Sequence, residues 1–283
     1  MSDASSIDAV RTAYLDLLGR ALRNDFYRSE ATPPSKPDLA LARARMGWIG
    51  ARLAAQGSTE TAKQLLRMPP RLFLSVLKSN RPDAHTLISP EALANVRSCV
   101  ESVIADDVPG HLIETGVFRG GTTIFMRGIL RGWGVTDRNV YVADSFEGLP
   151  EPDPDDLDDV LAHVVLDEVD RFAVDLEAVR ENFRRYDLLD DQVVFVKGFF
   201  ADTLPTLAVD RFAVIRLDGD YYDSTWDALA NLYPKLSIGG YAIIDDYGAP
   251  VACKRAVDTY RNEHGITDEI VEVDDQVVYW RKT

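Results

Sequence analysis

Residues 111–121 read HLIETGVFRGG, and residues 122–134 read TTIFMRGILRGWG. The first stretch is a short apolar run that stops at Gly116. The second carries its apolar residues at helical spacing. A strand that ends in a glycine-rich turn and passes into a helix is the building unit of a parallel, doubly wound sheet. The alternation continues downstream: NVYVADSF (139–146), VVFVKGFF (193–200), RFAVIRLDGD (211–220) and GGYAIIDDYG (239–248) read as strands, with helices expected around 175–187, 224–235 and 250–263. The chain closes with EIVEV (269–273), a DDQ turn and VVYWRK (277–282). That hairpin is expected to place an antiparallel strand at the end of an otherwise parallel sheet.

Upstream of residue 110 the pattern is helical. Ile7, Val10, Tyr14, Leu17, Leu18 and Ala21 recur at helical spacing within residues 1–30, and EATPPSKPD (30–38) breaks the run. Residues 38–67 read as helix with an interruption at Gly57, and a further helix is expected from about Pro90 to Ala105. We therefore divide the chain into a helical N-terminal extension or cap, 1–84, and a sheet domain, 85–283.

Of 283 residues, 46% are hydrophobic and 27% charged, enough apolar matter for a substantial core. Lys and Arg total 31 against 46 Asp and Glu, a formal charge of −15. A field of that sign excludes a nucleic-acid binder and disfavours anionic membranes. The N-terminus lacks the basic start and apolar run of a signal peptide, and no apolar stretch is long enough to span a bilayer, so a cytoplasmic location is expected. Cys99 and Cys253 lie outside any CxxC or Cys/His spacing and read as reduced thiols.

Ligands of open α/β sheets bind at the carboxyl ends of the strands. The first strand ends in Glu114-Thr115-Gly116-Val117-Phe118-Arg119-Gly120-Gly121, where glycine permits a tight turn and close approach to a ligand. The spacing is not GxGxxG, which counts against a dinucleotide enzyme. The second strand ends in Asp144-Ser145-Phe146, placing a carboxylate where ribose hydroxyls can be bound; the competing role is a turn or cap residue. Gly198 and Phe199 follow the third strand, where backbone and an aromatic face can meet an adenine edge.

Asp218 and Asp220 end the fourth strand, and Asp245 and Asp246 end the fifth. If these strands are neighbours, four carboxylates converge and repel unless a cation joins them. Oxygen ligands favour a hard ion such as Mg²⁺. Helix capping by each Asp is the alternative. Such a cation would bind neighbouring substrate hydroxyls and lower the pKa of one, and a carboxylate would take its proton. Asp218 is the candidate for combined ligand and base, with Asp220 the alternative. His85, His111, His163 and His264 have no partner spacing and read as structural. Tyr221 and Tyr222 are assigned either to substrate or to helix packing, Trp226 to the core, and the acidic run 151–159 to a solvated loop or a lid.

At these residues the sequence resembles the macrocin O-methyltransferase family. The likeness runs through LIETGVFRGGTTIFMRGIL, VADSFEGLP, VRENFRRYDLLDDQV, GFFADTLP, RLDGDYYDSTWDALANLYPKLSIGGYAIIDDYG and YRNEHGI, most of residues 84–265. It implies a Rossmann-like class I fold for S-adenosylmethionine (SAM) methyltransferases, with a mostly parallel seven-stranded sheet, an antiparallel last strand and the N-terminal helical extension. It implies SAM as methyl donor and Mg²⁺ held by Asp218, Asp245 and Asp246. Glu114, Thr115, Gly116, Arg119, Gly120, Thr122, Asp144, Ser145, Phe146, Gly198, Phe199 and Asp218 are then expected at the cofactor, with Thr86 and Leu87 closing over it. The implied acceptor is a glycosylated small molecule methylated on a sugar hydroxyl, and the implied assembly a homo-oligomer. A non-sugar vicinal diol or catechol, or a non-catalytic assembly role, are the alternatives. The sequence departs from the family at RLFLSVLKSNRPD (71–83) and at EPDPDDLDDVLAHVVLDEVD (151–170), both expected to grip the acceptor.

Overall fold

The computed structural model describes residues 2–26, 35–55, 57–71, 73, 83–167, 173–248 and 251–283. The apolar runs form β1 (His111–Thr115), β2 (Val140–Asp144), β3 (Val193–Lys197), β4 (Phe212–Leu217), β5 (Leu236–Ile244), β6 (Val271–Glu272) and β7 (Val278–Arg281). They make one seven-stranded sheet in the order β3-β2-β1-β4-β5-β7-β6. The first five are parallel neighbours, and β7 runs antiparallel to both β5 and β6. The reversed strand is the last one, as expected, yet it lies one place in from the edge. The hairpin explains this: Tyr241–Ile244 of β5 pair with Val278–Arg281, which carries the two-residue β6 outward. An edge strand that short leaves little unpaired backbone exposed.

The helices are α1 (Ser2–Leu22), α2 (Lys36–Ala55), α3 (Thr59–Arg67), α4 (Pro90–Ala105), α5 (Gly121–Trp133), α6 (Leu157–Asp167), α7 (Leu176–Arg185), the single turn α8 (Phe200–Thr203), α9 (Tyr222–Leu232) and α10 (Val251–Glu263). Successive strand residues face opposite sides. Leu112, Val214 and Ile243 accordingly share a core with α1, α4 and α5, while Ile113, Ile215 and Ala242 share a second with α9 and α10. Leu15, Leu18 and Leu22 of α1 belong to the sheet's own core, whereas α2 and α3 form a satellite cluster around Met46, Ile49 and Leu65 that touches Leu161 of α6.

Local chemistry sets the boundaries. Ser89 caps α4 by accepting from the Ala92 amide at 2.9 Å, with Pro90 at the first helical position. The helix expected to residue 30 stops at Leu22, and the interruption at Gly57 separates α2 from α3. Most of RLFLSVLKSNRPD, and residues 168–170 of the acidic segment, lie outside the described residues. The acidic run is not a solvated loop throughout: α6 begins at Leu157. Asp156 accepts from the amides of Asp158 and Asp159 at 3.1 and 3.3 Å, so its acids mark a helix start. Cys99 and Cys253 are buried and free. Among the described residues no helix is long and apolar enough to cross a membrane.

Candidate active site

The strand order reverses between β1 and β4, and a cavity of about 1160 Å³ opens at the carboxyl ends of the strands. Gly116 makes the junction possible. The Asp218 amide donates to the Thr115 carbonyl at 3.0 Å, and a Cβ on residue 116, whose φ is +77°, would overlap the Asp218 carbonyl oxygen.

Asp144 ties the neighbouring turn. Its Oδ2 accepts from the Val117 amide and its Oδ1 from the Phe146 amide, both at 2.8 Å. Burial pushes its pKa up, and these amides pull it back. The Ser145 hydroxyl also donates to Oδ1 at 3.4 Å, and the carboxylate still lines the cavity, where a ribose hydroxyl could meet it. The cap and ligand roles weighed from sequence are thus compatible.

The segment carrying Thr86 and Leu87 docks on the start of α5. The Gly121 amide donates to the His85 carbonyl at 3.0 Å, the Thr86 and Thr122 hydroxyls lie 3.2 Å apart, and Arg119 donates to the Ala84 carbonyl at 2.9 Å. Thr86, Leu87, Glu114, Gly116, Thr122, Asp144, Ser145, Phe199 and Asp218 all line the cavity. Thr115, Arg119, Gly120, Phe146 and Gly198 stand behind it. Phe146 packs in the core against Phe195, Gly120 caps α5, and the Gly198 amide donates to the Asp144 carbonyl at 2.9 Å.

Glu114 is fully buried on β1. Burial raises its pKa to about 7 although the Arg216 guanidinium opposes the shift. Its Oε1 accepts from Arg216, while Oε2 has no hydrogen-bond partner. An orphaned buried carboxylate oxygen at a cavity wall fits a ligand that brings a cationic donor, such as an α-amino group.

The other end of the cavity is acidic. Asp218, Asp220 and Asp246 bring ligand oxygens within 4.8 Å of one another. Burial raises the pKa of all three, that of Asp220 to about 8, and the neighbouring carboxylates push the same way. This is the donor set of a hard divalent cation. Asp245 stands beside the cluster with Oδ1 engaged by Arg216 Nη2. The sequence set of Asp218, Asp245 and Asp246 and the spatial set of Asp218, Asp220 and Asp246 therefore differ in one member. Asp220 sits at φ +56°, an αL conformation that Asp tolerates better than most residues.

Sequence reasoning missed Arg216 and Asp159, and it read His163 as structural without finding its partner. Arg216 is buried and pairs with Glu114, Asp218 (3.0 Å) and Asp245. The signal was available, since a lone arginine inside the apolar run FAVIRL requires carboxylate partners. Asp159 of α6 accepts from the Tyr222 amide at 3.1 Å, and His163 Nδ1 lies 2.8 Å from the Tyr221 hydroxyl. No local spacing announces contacts between residues about sixty positions apart. Tyr221 lines the cavity, whereas Tyr222 stacks on Trp226, which packs partly buried against the core. His111 and His264 bond to backbone at 3.0 and 2.9 Å, while His85, bonded to the Tyr186 hydroxyl at 2.8 Å, lines the cavity.

A sheet of this order with its last strand reversed, opening on a cavity that ends in aspartates, is the architecture of an O-methyltransferase. The chain matches the Macrocin-O-methyltransferase (TylF) family over residues 11–282 and belongs to that family. It is 53% identical over 201 residues to the demethyldecarbamoylnovobiocin O-methyltransferase of Streptomyces niveus, covering 71% of this chain and 77% of that protein. It is 54% identical over 206 residues to the 8-demethyl-8-(2,3-dimethoxy-alpha-L-rhamnosyl)-tetracenomycin-C 4'-O-methyltransferase of Streptomyces olivaceus, covering 71% and 76%. The solved structure of the O-methyltransferase NovP superposes with a TM-score of 0.75 at 43% identity, covering 96% of this chain and 99% of that one.

Proposed function

We propose that this enzyme transfers a methyl group from SAM to a sugar hydroxyl of a glycosylated natural product, with Mg²⁺ bound at the ends of β4 and β5. The observation that carries this reading is a single cavity with two chemically distinct ends. One has Glu114 and Asp144 with acceptor capacity to spare; the other has the aspartate cluster. The printed names of the relatives support the acceptor class, since one acts on a rhamnosyl-bearing tetracenomycin. The cavity's breadth, with Pro150, Pro152, Leu161 and Val251 on its walls, suits a bulky glycoside better than a flat catechol slot.

When bound, SAM supplies an electrophilic methyl group, and Mg²⁺ supplies charge that acidifies a coordinated hydroxyl. This chain's residues do the rest. Glu114 takes the cationic end of the cofactor, Asp144 its diol, and the segment of Thr86 and Leu87 covers it. Asp218 and Asp246 would hold the metal, with Asp245, whose Oδ1 is engaged by Arg216, beside them. Asp220 lies on the cavity beside Asp218 and Asp246, and burial with the neighbouring carboxylates raises its pKa to about 8 in the metal-free protein, which makes it the stronger base once it has lost its proton. Of the two candidates for the base, Asp218 and Asp220, the engagement of Asp218 Oδ2 by Arg216 supports Asp220. Exposed Val10, Leu17, Leu41 and Trp48 on α1 and α2 support a homo-oligomer.

The test is a methyl-transfer screen against glycosylated natural products, using labelled SAM with and without EDTA. Transfer should stop in chelator and return with Mg²⁺; full activity in chelator would sink the metal assignment. Asp220→Asn should lose turnover with SAM affinity retained.

A further inference from the structure

The turn that carries the aspartate cluster is held by the Asp218 amide on the Thr115 carbonyl, the Asp220 amide on Asp246 Oδ2 at 3.1 Å and the Tyr221 amide on the Gly219 carbonyl, but none of these bonds reaches the first amide of the helix that follows. It runs from Asp218 through Gly219 and Asp220, the latter in the αL region, into the start of α9. The residue preceding that helix is Tyr221, which offers no side-chain cap. The first amides of a helix have no intrahelical acceptor, and leaving one unpaired beside a cavity is costly.

An acceptor arrives from a distant part of the chain. Asp159, 2% exposed on α6, points both carboxylate oxygens at the Tyr222 amide, at 3.1 and 3.2 Å. One helical turn on, His163 Nδ1 meets the Tyr221 hydroxyl at 2.8 Å. Residues four apart share one helix face, so α6 grips two consecutive residues of the turn. A carboxylate at a helix N-terminus is also favoured by the helix dipole. At the start of α6, Arg255 of α10 pairs with Asp156 and lies over the Tyr222 ring, 4.7 Å from its centroid. The same helix presents Leu161 and Ala162 to the cavity.

We propose that Asp159 and His163 are positioning residues that hold the Asp218–Tyr222 turn in the shape in which its carboxylates converge. The helix that faces the acceptor and the turn that activates it are thereby one mechanical unit. The inference rests on the proposed methyl-transfer reading only for its kinetic consequence. Its structural content stands on the contacts alone.

The test uses the full-length protein without ligands and measures hydrogen–deuterium exchange of the peptide spanning residues 218–226. Asp159→Ala should speed exchange there by about threefold to thirtyfold, the range expected when a helix cap is lost, with strand peptides of β1 and β4 unchanged. Asp159→Asn should restore most of the protection, because its amide oxygen still accepts from the Tyr222 amide. In methyl transfer, Asp159→Ala should lower kcat with KM for SAM within about twofold, and His163→Ala should add little to it because both act on one turn. The proposal is overturned if the 218–226 peptide is unaffected, if protection falls equally across the sheet, or if Asp159→Asn behaves like Asp159→Ala. A wild-type enzyme that methylates no tested acceptor would remove the proposed function while leaving the exchange result decisive.

Discussion

Arg216→Met removes the one guanidinium that, among the described residues, pairs with the carboxylates Glu114, Asp218 and Asp245 at the ends of β1, β4 and β5. Arg216 is 1% exposed and bridges Glu114, Asp218 and Asp245. Methionine approximates its length and keeps the apolar packing, so the change isolates charge. Breaking a buried ion pair from one side costs about 3–5 kcal/mol, because the partner's charge stays behind. Here three carboxylates are left, two of them, Glu114 and Asp218, already raised by burial. The loss should fall within that range at pH 7.5, where Glu114 is charged, and should shrink in mild acid, where Glu114 holds its proton. The assay is urea denaturation followed by tryptophan fluorescence at pH 5.5 and 7.5. A loss below about 1 kcal/mol at pH 7.5, or one equal at both pH values, would refute the view that Arg216 neutralises this cluster.

Three further outcomes are expected. Mg²⁺ binding should release protons at pH 7 and tighten as pH rises, because burial and the neighbouring carboxylates raise the pKa values of Asp218 and Asp246, and that of Asp220 to about 8, in the metal-free cluster; calorimetry in two buffers of different ionisation enthalpy measures this, and a release of zero contradicts it. Gly116→Ala should prevent accumulation of folded protein, since its Cβ would meet the Asp218 carbonyl, whereas Gly134→Ala, at similar φ with open space around it, should cost only about 1–2 kcal/mol in thermal denaturation. Asp159 has its folded pKa raised to about 6 by burial, so the folded protein retains that proton longer than the unfolded chain and stability falls as pH rises from about 4 to 6; Asp159→Asn should therefore gain on the wild type across that window in paired urea titrations, and a gap independent of pH would count against the shift.

The fold was legible because it rests on local period. Five short apolar runs ending in glycine or aspartate, spaced by helical stretches, leave little choice but a parallel sheet, and the closing hairpin marks the reversed strand. What the pattern does not carry is the exchange of places between β6 and β7, which depends on which strand meets the edge of β5. The site was legible where function sits at strand ends: Glu114, Asp144, Asp218 and Asp246 are on the cavity because β1, β2, β4 and β5 deliver them there. It was not legible where function depends on pairing across sequence. Arg216 was readable as a buried charge, but its three partners come from three strands. Asp159 and His163 were hidden in an acidic run whose composition suggests solvent, and only the docking of α6 on α9 gives them partners.

The charge balance of the cavity supports the proposed cation. Glu114, Asp218, Asp220, Asp245 and Asp246 set five carboxylates around one guanidinium. Burial raises the pKa values of several of these carboxylates, so the metal-free protein balances them in part with protons. A divalent ion would replace those protons and would bind only the folded arrangement, because the unfolded chain does not bring residues 218 and 246 together. Binding to the native state alone raises stability by about 2.7 kcal/mol at a hundred times Kd. Mg²⁺ should accordingly raise the thermal midpoint, and more at pH 8 than at pH 6, where fewer sites are free of protons. Asp246→Asn should lose most of that gain while keeping any stabilisation by SAM, whose end of the cavity it does not form. A midpoint insensitive to Mg²⁺ at pH 8, or an Asp246→Asn protein that responds like the wild type, would mean that the cluster is balanced by something other than a cation.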